Sequence, residues 1–82
     1  MPWIIDSSPI DNEEKTEGVM SPNYTPDQKL AHKFRLLDDD GEVYYKGRSS
    51  DNSSFAPLDD YGMPNAGCTE IQYLNHGKWE TL

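Results

Sequence analysis

The sequence predicts an α+β or mostly β fold: a small four-stranded antiparallel sheet from two hairpins, at most one short helix and an irregular N-terminal arm. Residues 32–48 and 68–82 each alternate apolar and polar positions around a glycine-containing turn, which is the pattern of a β-hairpin. An apolar loop, residues 55–67, lies between them and is too rich in large side chains to be a simple spacer. No catalytic motif accompanies this pattern, so the sequence points to a fold before it points to a function.

The chain has 82 residues, enough for one domain, and 34% of them are hydrophobic. A domain of this size buries a smaller share of its surface than a larger one, so its core is small. Residues 1–24 are rich in proline, serine and acidic residues and are expected to be disordered or docked on the sheet. Residues 25–82 are expected to form the single sheet domain.

A helix start is predicted at Thr25, because Thr25, Pro26 and Gln28 fit the N-cap, N1 and N3 positions of a capping box. Strand character begins at Phe34, so this helix is limited to one or two turns, and a simple turn is the alternative. The four strands are expected near residues 32–38, 42–48, 68–74 and 77–82.

Period-two alternation puts one set of apolar side chains on a common sheet face. This set is Phe34, Leu36, Val43, Tyr45, Ile71, Tyr73 and Trp79. Both turns, Asp39-Asp40-Gly41 and Asn75-His76-Gly77, suit a type I turn followed by a left-handed glycine. The apolar face needs a cover. The arm or the middle loop is expected to supply it, the loop through Phe55, Leu58, Tyr61 and Met63.

The net charge is −8, and residues 1–28 hold six acids against one base, while residues 29–82 hold nine acids against six bases. Such acidity disfavours binding to nucleic acid or anionic lipid and suits a basic protein partner, although it also simply aids solubility. The single cysteine, Cys68, cannot form an internal disulfide, which favours a cytoplasmic location. The apolar run at Trp3–Ile5 is too short for a signal peptide or a membrane span.

Two acidic groups are candidates for a partner-binding surface. The first lies in the predicted turn before Gly41 and is explained by turn chemistry rather than by calcium binding. The second is a carboxylate pair beside a tyrosine in the middle loop, where aromatic anchors and charge would act together, although such a pair can also cap a turn or helix. The proposed partner-binding residues are Asp38, Asp39, Asp40, Asp59, Asp60 and Tyr61.

The opposite sheet face supplies an alternative site for single-stranded nucleic acid or a small ligand. Basic residues alternate outward on the first hairpin next to one tyrosine, an arrangement that small sheets use to hold nucleic acid. The residues of this alternative face are Lys33, Arg35, Tyr44, Lys46 and Arg48. We expect Glu70, Gln72 and Glu80 on neighbouring strands to pair with these bases across the sheet.

No catalytic or metal site is predicted. His32 and His76 have no partner at metal-ligand spacing, and Cys68 has no second cysteine. A cysteine–histidine nucleophile pair lacks any evident third orienting group, and Cys68 suits a small buried hydrophobe. We therefore predict no cofactor and no enzymatic activity.

The stretch FRLLDDDGEVYYKGR (residues 34–48), followed by PLDDYGMPNAGCTEIQY (residues 57–73), resembles a group of short uncharacterised proteins of bacteria, phages and mobile elements. The resemblance covers about the last fifty residues and implies no catalytic residue. In size and charge the chain is also similar to small acidic phage inhibitors of host defence, including those that imitate DNA.

These observations favour a cytoplasmic, non-enzymatic, acidic protein-binding module, such as a phage or mobile-element inhibitor of a host nucleic-acid-handling or defence complex. The partner would be a basic protein or such a complex, with nucleic acid and membranes disfavoured. A binder of single-stranded nucleic acid or a small ligand, or a structural accessory domain, are the alternatives.

Overall fold

A computed structural model, which describes residues 2–7 and 19–82, contains one antiparallel sheet of five strands. In chain order the strands are β1 (Trp3–Ser7), β2 (His32–Leu37), β3 (Val43–Ser49), β4 (Glu70–Asn75) and β5 (Lys78–Thr81). Their order across the sheet is β1-β3-β2-β4-β5. The mostly β, antiparallel fold is therefore confirmed, with one strand more than the four predicted.

One face of the sheet, called here the core face, carries the largest buried side chains. Phe34 lies opposite Tyr73 and Leu36 lies opposite Ile71 across β2 and β4. None of these four side chains is more than 1% exposed. The rings of Phe34 and Tyr73 meet edge to face with centroids 6.0 Å apart, a favourable aromatic geometry. The alternation thus predicts these four buried residues correctly, whereas Val43 of the same predicted set is only half-buried.

The additional strand is β1, which lies in the predicted N-terminal arm and pairs with β3. Trp3 and Ile5 are 3% exposed and lie opposite Ser49 and Gly47. A Cβ on Gly47 would collide with the Ile4 carbonyl oxygen and come within 2.6 Å of the Phe34 ring, so only glycine lets β1 approach. The arm is therefore regular over Trp3–Ser7, not irregular, and its residues 8–18 lie outside the described part of the chain.

The outer edge of β1 is covered by the residues that follow the undescribed stretch. Ile5 N–H donates to the Val19 carbonyl and Ser21 N–H donates to the Trp3 carbonyl, both at 2.9 Å. This pairing satisfies backbone groups that an open edge strand would leave exposed. Farther along, Thr25 N–H donates to Gln28 Oε1 as a capping box requires, but a turn forms there and no helix follows.

The short helix lies instead in the middle loop, at residues 56–66. It begins with a π-helical turn, Leu58–Gly62, and ends with a single α-helical turn, α1 (Met63–Ala66). Leu58 is buried in the core. Gly62 sits so close to the core that an added Cβ would lie 2.8 Å from the Leu36 Cδ1 atom. The middle loop, one of the two predicted covers, therefore packs on the core face through Leu58.

The two hairpin turns differ from one another. Between β2 and β3, Gly41 has φ 79° and its N–H donates to the Asp38 carbonyl, as the predicted turn requires. Between β4 and β5, Asn75 pairs with Lys78, which leaves a two-residue turn of His76 and Gly77. Both turn residues have positive φ, at 53° and 80°, so the predicted three-residue turn is wrong.

This shorter turn moves Trp79 to the other face of the sheet. A change of one residue in register turns every later side chain over. Trp79 consequently lies opposite Leu74, whereas Glu80 lies opposite the buried Tyr73. The prediction of Trp79 as a core residue is therefore wrong, and its ring lies on the face opposite the core.

Candidate functional site

The face opposite the core, called here the second face, carries four basic side chains on the adjacent strands β2 and β3. Lys33 lies directly opposite Arg48, and Arg35 lies directly opposite Lys46. Like charges in directly opposed positions destabilise a sheet, so this arrangement opposes folding rather than assisting it. The predicted outward positions of these four residues agree with the register.

Both arginines have partners on this face. Arg48 donates from Nε to Asp6 at 2.9 Å and from Nη2 to the same carboxylate at 3.1 Å. This hydrogen bond raises the pKa of the Arg48 guanidinium above its usual value. Arg35 donates from Nε to Gln72 Oε1 at 2.6 Å, and its guanidinium carbon lies 4.4 Å from the centroid of the Trp79 ring.

The expected cross-strand ion pairs with Glu70 and Glu80 are wrong. Glu70 accepts hydrogen bonds from the side chains of Gln72 and Thr81. Glu80 lies on the core side of β5 and accepts from the Asn75 amide. Of the three predicted partners, Gln72 alone pairs with a basic residue, Arg35. The two glutamates accept hydrogen bonds from neutral polar side chains instead.

The two lysines of the second face form no ion pair with any side chain in residues 2–7 or 19–82. Both line a groove of about 320 Å³ that runs across the sheet. Its lining residues are Asp6, Ser7, Lys33, Phe34, Lys46, Gly47, Leu74 and Trp79. The groove therefore combines two free ammonium groups, one carboxylate and an apolar wall that includes an indole ring.

Tyr44 does not belong to this face, contrary to prediction. The register of β2 and β3 shifts between Leu36 and Leu37, whose partners are Tyr45 and Val43, so Tyr44 is the extra residue of a β-bulge. Its side chain packs against the core cluster. Burial, followed by the charges of Asp38 and Glu42, raises the pKa of the Tyr44 phenol.

In the first acidic group, Asp38–Asp40, one carboxylate stabilises the turn and the other two are exposed. Asp38 Oδ1 accepts the backbone N–H groups of Asp40 and Glu42 at 3.0 and 2.9 Å, which holds the turn closed. Asp39 and Asp40 themselves are exposed. Asp38 therefore stabilises the hairpin, and only its two neighbours present carboxylates freely.

The second acidic group lies at the start of the helical segment. Asp59 and Asp60 are exposed and accept no hydrogen bond within the described part of the chain. Tyr61 turns inward: its ring meets the Tyr45 ring edge to face at 4.8 Å and lies 6.4 Å from the Trp3 ring. The predicted anchoring role of Tyr61 is replaced by packing against the core, because the helical turn points it toward the sheet.

Two exposed apolar side chains flank this carboxylate pair. Phe55 is 48% exposed and Met63 is 50% exposed, whereas Leu58 between them is buried. Phe55 directly precedes the helical segment, Asp59 lies in its π-helical turn and Met63 begins α1, and all three are exposed. Phe55 and Met63 were predicted to cover the core, but the segment presents them to solvent together with the acids.

The remaining reactive side chains are held in structural positions. Cys68 is fully buried, and burial, aided by the charge of Asp38, raises the pKa of its thiol and disfavours the thiolate. Within residues 2–7 and 19–82, no three histidine, cysteine or acidic side chains are grouped to hold a metal ion. No helix in the same residues has the length and apolar character needed to cross a membrane.

Sequence reasoning missed several members of both surfaces. Asp6, Ser7 and Leu74 line the groove, but only the pairing of β1 and β4 with the middle strands brings them to it. Trp79 lines the groove because the turn between β4 and β5 is one residue shorter than the predicted turn. The available signal was His76-Gly77, because a two-residue turn ending in glycine is a common hairpin connection.

Comparisons with family models, with curated proteins and with solved structures each found no match for this chain. Function is therefore inferred from the two surfaces of the protein itself. The sequence resemblance to short bacterial and phage proteins stays a prediction.

Proposed function

We propose that the protein is a non-enzymatic binding module that docks on a basic protein through its helical segment. The docking surface, called here the acidic–apolar surface, consists of Phe55, Asp59, Asp60 and Met63. This surface keeps the two predicted carboxylates of the middle loop. Phe55 and Met63, which face solvent, take the place of the inward-facing Tyr61. Asp39 and Asp40 add negative charge that would steer the partner during approach.

The observation that supports this proposal is the exposure of two large apolar side chains beside two free carboxylates. Phe55 and Met63 are each about half exposed although the same short segment buries Leu58. Aromatic residues and Met are enriched in protein interfaces, where a polar rim surrounds an apolar centre. Met is especially suited to such a surface, because its flexible thioether adapts to the partner.

The partner is expected to present an apolar cleft bordered by lysine or arginine. The net charge of −8 would speed its approach at low salt and would repel acidic proteins and nucleic acid. A protein that itself binds nucleic acid has such a basic surface. Inhibition of a nucleic-acid-handling or defence complex, with the protein acting in the cytoplasm, is the finer form of this proposal.

The test is affinity capture from a nuclease-treated bacterial lysate at two salt concentrations, with bound proteins identified by mass. Two variants remove parts of the surface: Phe55→Ser with Met63→Ser, and Asp59→Lys with Asp60→Lys. Removing an interface anchor typically weakens binding by about 1–2 kcal/mol or more, so both variants should lose the captured partner. Capture by the unmodified protein should weaken as salt rises.

The matched control is Asp39→Lys with Asp40→Lys, which changes the net charge by the same amount as the reversal at Asp59 and Asp60. This control should retain the same partner with somewhat slower association. Equal capture by all forms of the protein would refute the acidic–apolar surface. Recovery of nucleic acid alone, lost after nuclease treatment, would contradict a protein partner altogether.

A further inference from the structure

We propose that the groove on the second face is a separate binding site for a mononucleotide. The phosphate would lie between the ammonium groups of Lys33 and Lys46, and the base would stack against Trp79. This site is on the opposite side of the sheet from the acidic–apolar surface. It does not depend on the proposed protein partner.

Charge is the first argument for this site. Lys33 and Arg48, and likewise Arg35 and Lys46, oppose each other directly across β2 and β3. The arginines are occupied by Asp6, Gln72 and Trp79, whereas both lysines line the groove without a counterion among residues 2–7 and 19–82. In a chain of net charge −8, two uncompensated lysines on adjacent strands are complementary to a phosphate group.

The apolar wall of the groove is the second argument. Trp79 and Leu74 lie opposite each other on β5 and β4, and both line the groove with the lysines. The Arg35 guanidinium lies over one face of the Trp79 ring, so a base would stack on the other face. An aromatic ring beside a phosphate-binding pair is the combination that recognises a nucleotide base.

Asp6 and Ser7 complete the groove on the β1 side. The Asp6 carboxylate is bound by Arg48, so its negative charge is largely compensated within the wall. Both residues lie on β1, on the other side of the lysines from Trp79, so they border the phosphate end of the groove, where the Ser7 hydroxyl can donate to a phosphate oxygen. The phosphate and the base of a nucleotide therefore each have a matching group in the groove, in an order that agrees with the strand order.

The size of the groove and the charge of the chain favour a single nucleotide over a strand. About 320 Å³ is at the lower end of the roughly 300–1,000 Å³ range of small-molecule sites. The chain as a whole carries fifteen acids against seven bases, and this excess of negative charge would repel the further phosphates of an oligonucleotide. The positive area is confined to four side chains of two strands.

The experiment is titration of the full chain with AMP and UMP, measured by calorimetry and by quenching of tryptophan fluorescence, to which Trp3 and Trp79 both contribute. Saturable binding should weaken as salt rises, and adenosine or uridine without phosphate should bind about tenfold or more weakly. Lys33→Met and Lys46→Met should each weaken AMP binding about tenfold, the value of one charge-assisted hydrogen bond. Lys29→Met, at an exposed position away from the groove, is the matched control and should bind normally.

The indole is tested with Trp79→Leu, which keeps an apolar side chain on β5 but removes stacking. It should weaken AMP binding at least about fivefold in calorimetry, with circular dichroism confirming the sheet. No saturable binding, or equal weakening by Lys29→Met, would overturn the site. Inorganic phosphate binding as tightly as AMP, or a single-stranded oligonucleotide binding more tightly per site, would overturn the assignment to a mononucleotide.

Discussion

The two faces of the sheet are built from the same strands by the same alternation, yet they differ in the interactions between residues that lie opposite each other on neighbouring strands. On the core face, opposed residues such as Phe34 and Tyr73 contact favourably and are buried together. On the second face, opposed residues such as Lys33 and Arg48 repel each other. The core face therefore stabilises the protein by burial, whereas the second face keeps like charges close together, with Asp6 and Gln72 engaging only its two arginines.

This difference separates positions that fold the chain from positions that are free to bind. The helical segment excludes water from the core face, where Leu58 and Gly62 close over Leu36. The second face keeps an open groove between its charged side chains. Repulsion retained at an open surface is a physical reason to look for an anionic ligand there.

The largest expected contrast between the faces comes from truncating one residue on each. Phe34→Ala should lower the free energy of unfolding by about 3–5 kcal/mol, because it leaves a cavity in the centre of the core. Its neighbour Lys33 is exposed, and Lys33→Ala should change that free energy by less than about 0.5 kcal/mol. Urea unfolding at neutral pH measures both; similar losses at the two positions would contradict the division of roles.

Gly47→Ala tests how closely β1 is packed on the core face. The new methyl group would meet the Ile4 carbonyl oxygen and the Phe34 ring, so overpacking should lower the free energy of unfolding by about 1–3 kcal/mol. In a Trp79→Leu background, where Trp3 is the single tryptophan, the fluorescence should shift toward that of exposed indole, since Trp3 belongs to the displaced strand.

Gly41→Ala is the control for this test, because no atom lies within 4 Å of its added Cβ, although its φ of 79° is unfavourable for alanine. It should lower the free energy of unfolding by about 1 kcal/mol through backbone strain and leave Trp3 fluorescence unchanged. A Trp3 shift of equal size in this variant would argue against close packing at Gly47.

Tyr73 makes the stability of the core face depend on alkaline pH. Burial raises its pKa from 10.0 to about 12, and its hydroxyl donates to the Ser54 carbonyl at 2.6 Å. The folded state favours the neutral phenol, so this contribution is complete below pH 10 and is lost as pH rises toward 12.

Chemical unfolding as a function of pH, with and without Tyr73→Phe, isolates that contribution. The variant should be less stable by about 1 kcal/mol at pH 7, since it lacks one hydrogen bond, and should show a smaller decline above pH 10. An unchanged alkaline decline would assign the effect to another group.

The smallest expected effect has the opposite sign and lies on the second face. Lys46→Glu replaces a repulsive pair with Arg35 by an attractive one, and should raise the free energy of unfolding by about 0.2–1 kcal/mol. The same variant should lose AMP binding. Lys29→Glu, with the same change of net charge at an exposed site, should not gain stability; if it does, the cross-strand repulsion is not the cause.

Local pattern was sufficient for much of the fold. Alternation identified Phe34 and Leu36 as core residues. The residue types of Asp39-Asp40-Gly41 identified the turn between β2 and β3. Both signals involve neighbours in the chain. Alternation also placed the four bases of β2 and β3 on the outward face. Asp59 and Asp60 could be named from sequence, but their exposure depended on how the helical segment lies on the sheet.

The sequence by itself determined the strand class, the first hairpin and the acidic character, since these depend on residue types and on the period of two along a strand. Tertiary structure alone decided three further features. It made a strand of Trp3–Ser7 by pairing it with distant Gly47, and it turned Tyr61 inward while Phe55 and Met63 remained outside. It also brought Trp79 beside Lys33 and Lys46. The physical reason is that register and close packing depend on residues far apart in the chain, where one residue in a turn reverses every later side chain.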